Sequence, residues 1–193
     1  MGCPTMRTDY DILKDIAAGS EVSLRELIQK YQTPLKIYCA SILSSPDDVD
    51  EVIHDTFVRF WINYARKHKA IDSLKSLLYR IARNAAYDKC RADRLVSCGG
   101  FLNIAMADNK TPVDVLNEKR VDEYLEKLFK QISVKDREIL ELFYIEAFRM
   151  EEVAQILSLN VEAVNSRLRR ARERVRTLLP NNFLQEWSRA HEA

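Results

Sequence analysis

The densest chemistry in this sequence lies between Ala163 and Arg176, where six arginines stand against a single acid, Glu173. Wound as a helix at about 100° per residue, the stretch gathers Val164, Leu168, Ala171 and Val175 into one narrow apolar stripe. Glu162, Asn165, Ser166, Arg169, Arg170 and Glu173 fall opposite it. An arginine can hold a guanine edge through two hydrogen bonds, and an asparagine an adenine edge. Asn165 and Arg169, close to the helix start, are therefore candidate base readers, with Ser166 beside them. Arg170 and Arg172, placed further round, are candidate phosphate ligands. A solvated charged face has the same composition, so this helix reads as a nucleic-acid element only with the support of its neighbours.

Two further clusters carry charge of opposite sign. Pro46 to Asp55 holds Asp47, Asp48, Asp50, Glu51 and Asp55 with no lysine or arginine. A helix there turns Asp50, Glu51, His54, Asp55 and Val58 outward, as a solvated acidic face or as a docking surface for a protein. Arg66 to Arg94 holds nine lysines and arginines against Asp72, Asp88 and Asp93, a net of +6. Within it Arg80, Asn84, Tyr87, Arg91 and Arg94 recur at four-three spacing on one side. Cations interleaved with an amide and an aromatic ring can follow the phosphates of a single strand and stack a base, although a solvated face is the simpler alternative. The formal net charge is only +1, so the information lies in this segregation, which suits two different partners.

These residues need helices to position them. Ser133 with Asp136 has the form of a capping box, and Ile139, Leu140, Phe143 and Tyr144 follow on one face. A short helix over Glu151–Leu157 carries Val153, Ala154 and Ile156. Asn160, a strong N-cap type, then opens the long arginine-rich helix. Two helices joined by a tight turn, with small Ala154 where they cross, predict a helix-turn-helix. Upstream, Tyr10–Ala18 and Glu21–Leu43 read as helices parted at Gly19-Ser20, the second interrupted by Pro34. Ser45-Pro46-Asp47 starts the acidic helix, whose inner face is Val49, Val52, Ile53, Thr56, Phe57 and Phe60. Ile62–Ser73 reads as a basic loop, and Leu74, Leu78, Ile81 and Ala85 as the buried side of the helix that follows.

From Leu95 to Val115 the periodicity fails, and about 20 residues at ~3.3 Å each can span ~65 Å. The expected organisation is all-α, two small helical domains joined by a flexible linker: 1–94, a linker over 95–116, and 117–193 with the helix-turn-helix. The tail over 181–193 carries Phe183, Leu184 and Trp187 without a readable role.

Composition excludes other classes. Four glycines and five prolines among 193 residues, 47% of them hydrophobic, favour helices with short connections. No alternating β-branched run marks a strand, and no apolar run of about eighteen marks a membrane span. The first ten residues have no apolar core of a signal peptide. Cys3, Cys39, Cys90 and Cys98 form no CxxC pair, and His54, His68 and His191 are scattered, which predicts reduced thiols in a cytoplasm and no metal site. With no nucleophile-base set and no phosphate loop, the sequence predicts no enzyme, no cofactor and no small-molecule substrate.

A family resemblance gathers these pieces. EEVAQILSLNVEAVNSRLRRAR resembles the C-terminal DNA-binding region of extracytoplasmic-function sigma factors, whose usual pattern is E-E-I-A-x-x-L-G-I-S-x-G-T-V-K-S-R-L-x-R-A-R. Glu151, Glu152, Ala154, Leu157, Val164, Ser166, Arg167, Leu168, Arg170, Ala171 and Arg172 match it. Ser158 replaces the turn glycine, Asn160 the serine cap, Ala163 the threonine and Asn165 the lysine, and Arg149 stands where a serine usually caps the short helix. DVDEVIHDTFVRFW resembles the family's D-A-E-D-L-V-Q-E-V-F-L-R-L-W, with His54 for Gln. LKSLLYRIARNAAYDKCRADR resembles F-x-x-W-L-Y-R-I-A-R-N-x-x-x-D-x-x-R, with Leu74 and Leu77 for the aromatics. AAGSEVSLRELIQKY resembles its first conserved stretch.

The resemblance implies a transcription initiation factor that binds core RNA polymerase and directs it to promoters. It implies polymerase binding by Asp50, Glu51, His54, Asp55 and Val58. It assigns minus-ten DNA to Arg80, Asn84, Tyr87, Arg91 and Arg94, and minus-thirty-five DNA to Asn165, Ser166, Arg169, Arg170 and Arg172. Core RNA polymerase and promoter DNA are the implied partners, and an anti-sigma factor is left open as another. The rival readings are a stand-alone helix-turn-helix regulator with a sensing or dimerising N-terminal half, and a helical adaptor without DNA.

Overall fold

A computed structural model describes residues 7–65, 71–92 and 131–179 of the chain. Every regular element among them is helical, in two units that are taken separately. The first holds α1 (Asp9–Ala17), α2 (Glu21–Ala40), α3 (Pro46–Phe60) and α4 (Leu74–Ala92). The second holds α5 (Val134–Leu140), α6 (Met150–Leu157) and α7 (Val161–Leu178). The expected linker over 95–116 and the tail over 181–193 lie outside the described residues.

Local signals set the ends of the first two helices. Asp11 N–H donates to Thr8 Oγ1 (3.2 Å) and Thr8 N–H to Asp11 Oδ2 (3.3 Å), a reciprocal cap that α1 owes to T-x-x-D. The Thr8 hydrogen bonds hold the Asp11 carboxyl below its usual range. At the other end Gly19 sits at φ +90°, and Ser20 N–H reaches back to Asp15 O (2.9 Å). Arg7 ties the two helices together through Asp15, Ser23 (3.3 Å) and Glu26 (2.7 Å). Lys30 (2.6 Å) and the Tyr31 hydroxyl (2.5 Å) both hold Asp9.

Pro34 does not interrupt α2, which runs through it for 20 residues. Proline removes one backbone bond, a loss offset here by the burial of Tyr31, Leu35 and Tyr38 around it. α3 packs on both α2 and α4 and buries all six residues expected on its inner face. Tyr38 and Tyr79, both fully buried, meet with ring centroids 5.1 Å apart. The basic loop starts later than the sequence suggests, because α3 continues as a wider π-helical turn over Trp61–Ala65 that brings Tyr64 alongside Phe60, 6.5 Å between centroids.

A second π turn, Glu141–Ile145, changes the reading of α5. Glu146 N–H bonds Glu141 O (2.9 Å), five residues back, so the wider turn shifts the register expected from 3.6-residue spacing. Ile139 and Leu142 are buried, whereas Tyr144, expected on one face with Ile139, is 56% exposed. Ser133 Oγ accepts Asp136 N–H (3.1 Å), and the Asp136 carboxylate holds Arg174 of α7 (2.5 Å). α5 packs along α7.

Candidate nucleic-acid and docking interfaces

The turn between α6 and α7 is set by backbone bonds. Ser158 adopts φ +55°, with its N–H on Gln155 O (3.4 Å) and Leu159 N–H on Ala154 O (2.9 Å). These two bonds close α6 and reverse the chain without a glycine. Asn160 then caps α7, its Oδ1 accepting Ala163 N–H at 2.7 Å. At the start of α6, where Arg149 offers no hydroxyl, Glu152 Oε2 takes the Arg149 N–H (3.0 Å), the other half of a capping box.

On α7, Val164, Leu168 and Ala171 are fully buried, and Val175 is half-buried. Asn165, Ser166, Arg169, Arg170 and Arg172 are all exposed. The Arg170 guanidinium folds back onto Ser166 O (3.3 Å). Arg172 comes seven residues, or two turns, after Asn165 and so shares its side of the helix, not that of Arg170. It is also pinned: its Nε donates to Tyr144 Oη at 2.6 Å, and its guanidinium lies over the Phe143 (5.6 Å) and Tyr144 (5.4 Å) rings. The sequence placed Phe143 and Tyr144 on one helical face with Ile139 and Leu140 and gave no sign of their contact with Arg172. Only the π turn brings them to α7.

On α4, Asn84 and Arg91 are exposed, while Arg80 and Tyr87 are half-buried. Arg94, expected at the end of this stripe, lies outside the described residues. Arg91 is paired with Asp88 (3.2 Å). One residue here was missed: the Arg83 guanidinium stands 4.6 Å from the centroid of the Tyr87 ring. The i, i+4 spacing of Arg83 and Tyr87 was the available signal.

On α3, Asp50, Glu51 and His54 are exposed, Asp55 half-buried, and Val58 38% exposed. The acids are not bare. Lys36 of α2 holds Asp50 (2.6 Å), Lys89 of α4 holds Asp48 (3.2 Å) and Glu51 (2.5 Å), and Arg59 lies 3.5 Å from Asp55. The bonds to Glu51 and Asp48 keep the Lys89 ammonium above its ordinary pKa. A surface of half-neutralised acids around an imidazole and a valine is milder than the run of acids suggests. Among the described residues no helix is long and apolar enough to cross a membrane.

Comparison with known proteins places both units. Residues 27–95 match the family model for sigma-70 region 2, and residues 122–175 that for sigma-70 region 4. The chain is 30% identical over 176 residues to the probable RNA polymerase sigma factor RfaY of Xanthomonas campestris, covering 89% of this chain but 44% of that longer protein. It is 22% identical to the ECF RNA polymerase sigma factor SigW of Bacillus subtilis, over 86% of this chain and 94% of that one. The solved structure of CnrH in complex with the cytosolic domain of CnrY shares the fold, with a TM-score of 0.62 at 24% identity over 88% of this chain and 96% of that chain. A stand-alone helix-turn-helix regulator gives no reason for a region 2 match across α2, α3 and α4. With region 2 and region 4 in that order, and sigma factors as relatives over most of its length, the chain belongs to the sigma-70 family as an extracytoplasmic-function sigma factor.

Proposed function

We propose that three faces divide the work of promoter-directed initiation on this chain. The outer face of α3, with Asp50, Glu51, His54, Asp55 and Val58, docks on core RNA polymerase. The α4 stripe of Arg80, Asn84, Tyr87 and Arg91, continued by Arg94, takes a strand of the minus-ten element as it opens. The α7 face reads the minus-thirty-five element as duplex, through Asn165, Ser166 and Arg169 on base edges and Arg170 and Arg172 on phosphates. The corresponding division of the chain is 1–94, a linker over 95–116, and 117–193. The factor works in the cytoplasm and contributes binding, not catalysis.

The observation that carries this reading is α7 itself, capped at Asn160, buried along Val164, Leu168 and Ala171, and exposed at every arginine and amide assigned to DNA. The acidic α3 face supports a protein partner because DNA phosphates would be repelled there. An anti-sigma factor is a further partner in this proposal, one that masks the docking or DNA faces until released. The test is co-purification with core polymerase followed by run-off transcription on a promoter library. Specific starts obtained only with polymerase plus this chain are expected. A chain that stays out of the polymerase fraction and binds palindromic duplex as a dimer overturns the proposal.

A further inference from the structure

Arg83 was not among the residues assigned to DNA, yet it sits against the one aromatic ring that was. Its guanidinium lies 4.6 Å from the Tyr87 centroid, from one helical turn earlier on α4. Both side chains are half-buried. At about 100° per residue Arg83 falls about 40° from Tyr87 and about 60° from Arg80, at the flank of the Arg80–Asn84–Tyr87–Arg91 stripe. A planar cation stacked on one side of a tyrosine fixes the ring's rotamer. A nucleobase arriving at such a ring has less side-chain freedom to remove than at a mobile one.

We propose that Arg83 is a positioning residue for the single strand: it stacks on Tyr87 and presents the ring, face set, to an unstacked base of the minus-ten element. The proposal rests on the strand-binding reading of α4. It differs from a direct phosphate contact in one measurable respect. A cation on a phosphate releases counterions, so its removal lowers the salt slope of single-strand binding by about 0.7. A cation that acts through Tyr87 leaves that slope unchanged. Its effect also disappears once Tyr87 is gone.

The experiment uses full-length chain assembled with core polymerase. The probe is a fluorescein-labelled single-stranded DNA 15-mer selected by the wild-type holoenzyme from a random pool. Affinities are measured at several salt concentrations for Arg83→Ala, Arg83→Gln, Tyr87→Ala and the Arg83→Ala/Tyr87→Ala pair. Arg83→Ala is expected to weaken binding about two- to fivefold, the size of an exposed cation–π contact, with an unchanged salt slope. Arg83→Gln, which keeps a planar group on the ring, recovers part of the loss. The double variant binds no worse than Tyr87→Ala alone. A slope lowered by about 0.7, or an Arg83 effect that persists without Tyr87, makes Arg83 a phosphate ligand and overturns the proposal. So does an unaffected Arg83→Ala in a protein where Tyr87→Ala is impaired. Normal binding by Tyr87→Ala instead overturns the strand-binding reading beneath it. Arg83→Gln supplies the same comparison if Arg83→Ala does not fold.

Discussion

Replacing Ser158 by glycine should stabilise the helix-turn-helix. Ser158 sits at φ +55° at the end of α6, where its Cβ crowds the following carbonyl. That conformation costs an L-residue roughly 1–2 kcal/mol. Glycine removes the crowding but returns about 0.5–1 kcal/mol through its greater freedom in the unfolded chain. The net gain is about 0.5–1 kcal/mol. Ala147, at φ +54°, presents the same strain before α6. α6 has eight residues and is therefore about 12 Å long, so the two sites are far enough apart for their effects to add. Hydrogen exchange of α7 backbone amides reads the gain locally. Each glycine variant should slow it about two- to fivefold, and the pair by about the product of the two. Ser158→Ala is the control: it keeps the Cβ and should leave exchange near wild type. Faster exchange in Ser158→Gly, or a loss in Ser158→Ala as large as the expected gain, would refute the strain argument and make the serine hydroxyl a holder of the turn.

The remaining predictions concern the three faces and the fold beneath them. Because Asp50 and Glu51 are tied to Lys36 and Lys89, His54→Ala and Val58→Asp are cleaner probes of docking than acid reversal. Each should weaken capture of core polymerase about tenfold with helicity unchanged by circular dichroism, and full capture by both would rule the face out. Asn165→Ala and Arg169→Ala should relax base preference at one or two upstream positions by about 1–3 kcal/mol, whereas Arg170→Ala should weaken all promoters alike and lower the salt slope by about one unit. Selection from a randomised upstream element at two salt concentrations separates these outcomes. Burial, and then the bond to Asp9, push the Tyr31 hydroxyl well above its ordinary pKa of 10.0. The folded state therefore keeps a proton that the unfolded state loses, and this stability, complete below pH 10, declines as pH rises beyond it. Tyr31→Phe should flatten that alkaline decline in a thermal-melt series, and an unchanged decline would mean another group causes it.

Much of this protein was already determined by its sequence, because its signals are local. T-x-x-D before α1, Ser45-Pro46 before α3 and Asn160 before α7 fix helix starts through bonds to residues three positions away. The apolar spacing named the whole buried face of α3, the line of Leu74, Leu78, Ile81 and Ala85 within the broader buried side of α4, and the stripe of α7 except for half-buried Val175. It also exposed the amides and arginines of α7, since a face opposite a buried stripe has nowhere else to go. What only the tertiary structure decided depends on turns that leave the 3.6-residue period and on neighbours far apart in the chain. The π turn at Glu141–Ile145 carried Tyr144 off the face of Ile139 and onto Arg172, 28 positions away. Pro34 stayed inside a helix because the burial around it outweighed one missing hydrogen bond. The acids of α3 met Lys36 and Lys89 only when three helices packed. Local spacing writes which side of a helix is wet; which partner waits on that side is set by packing.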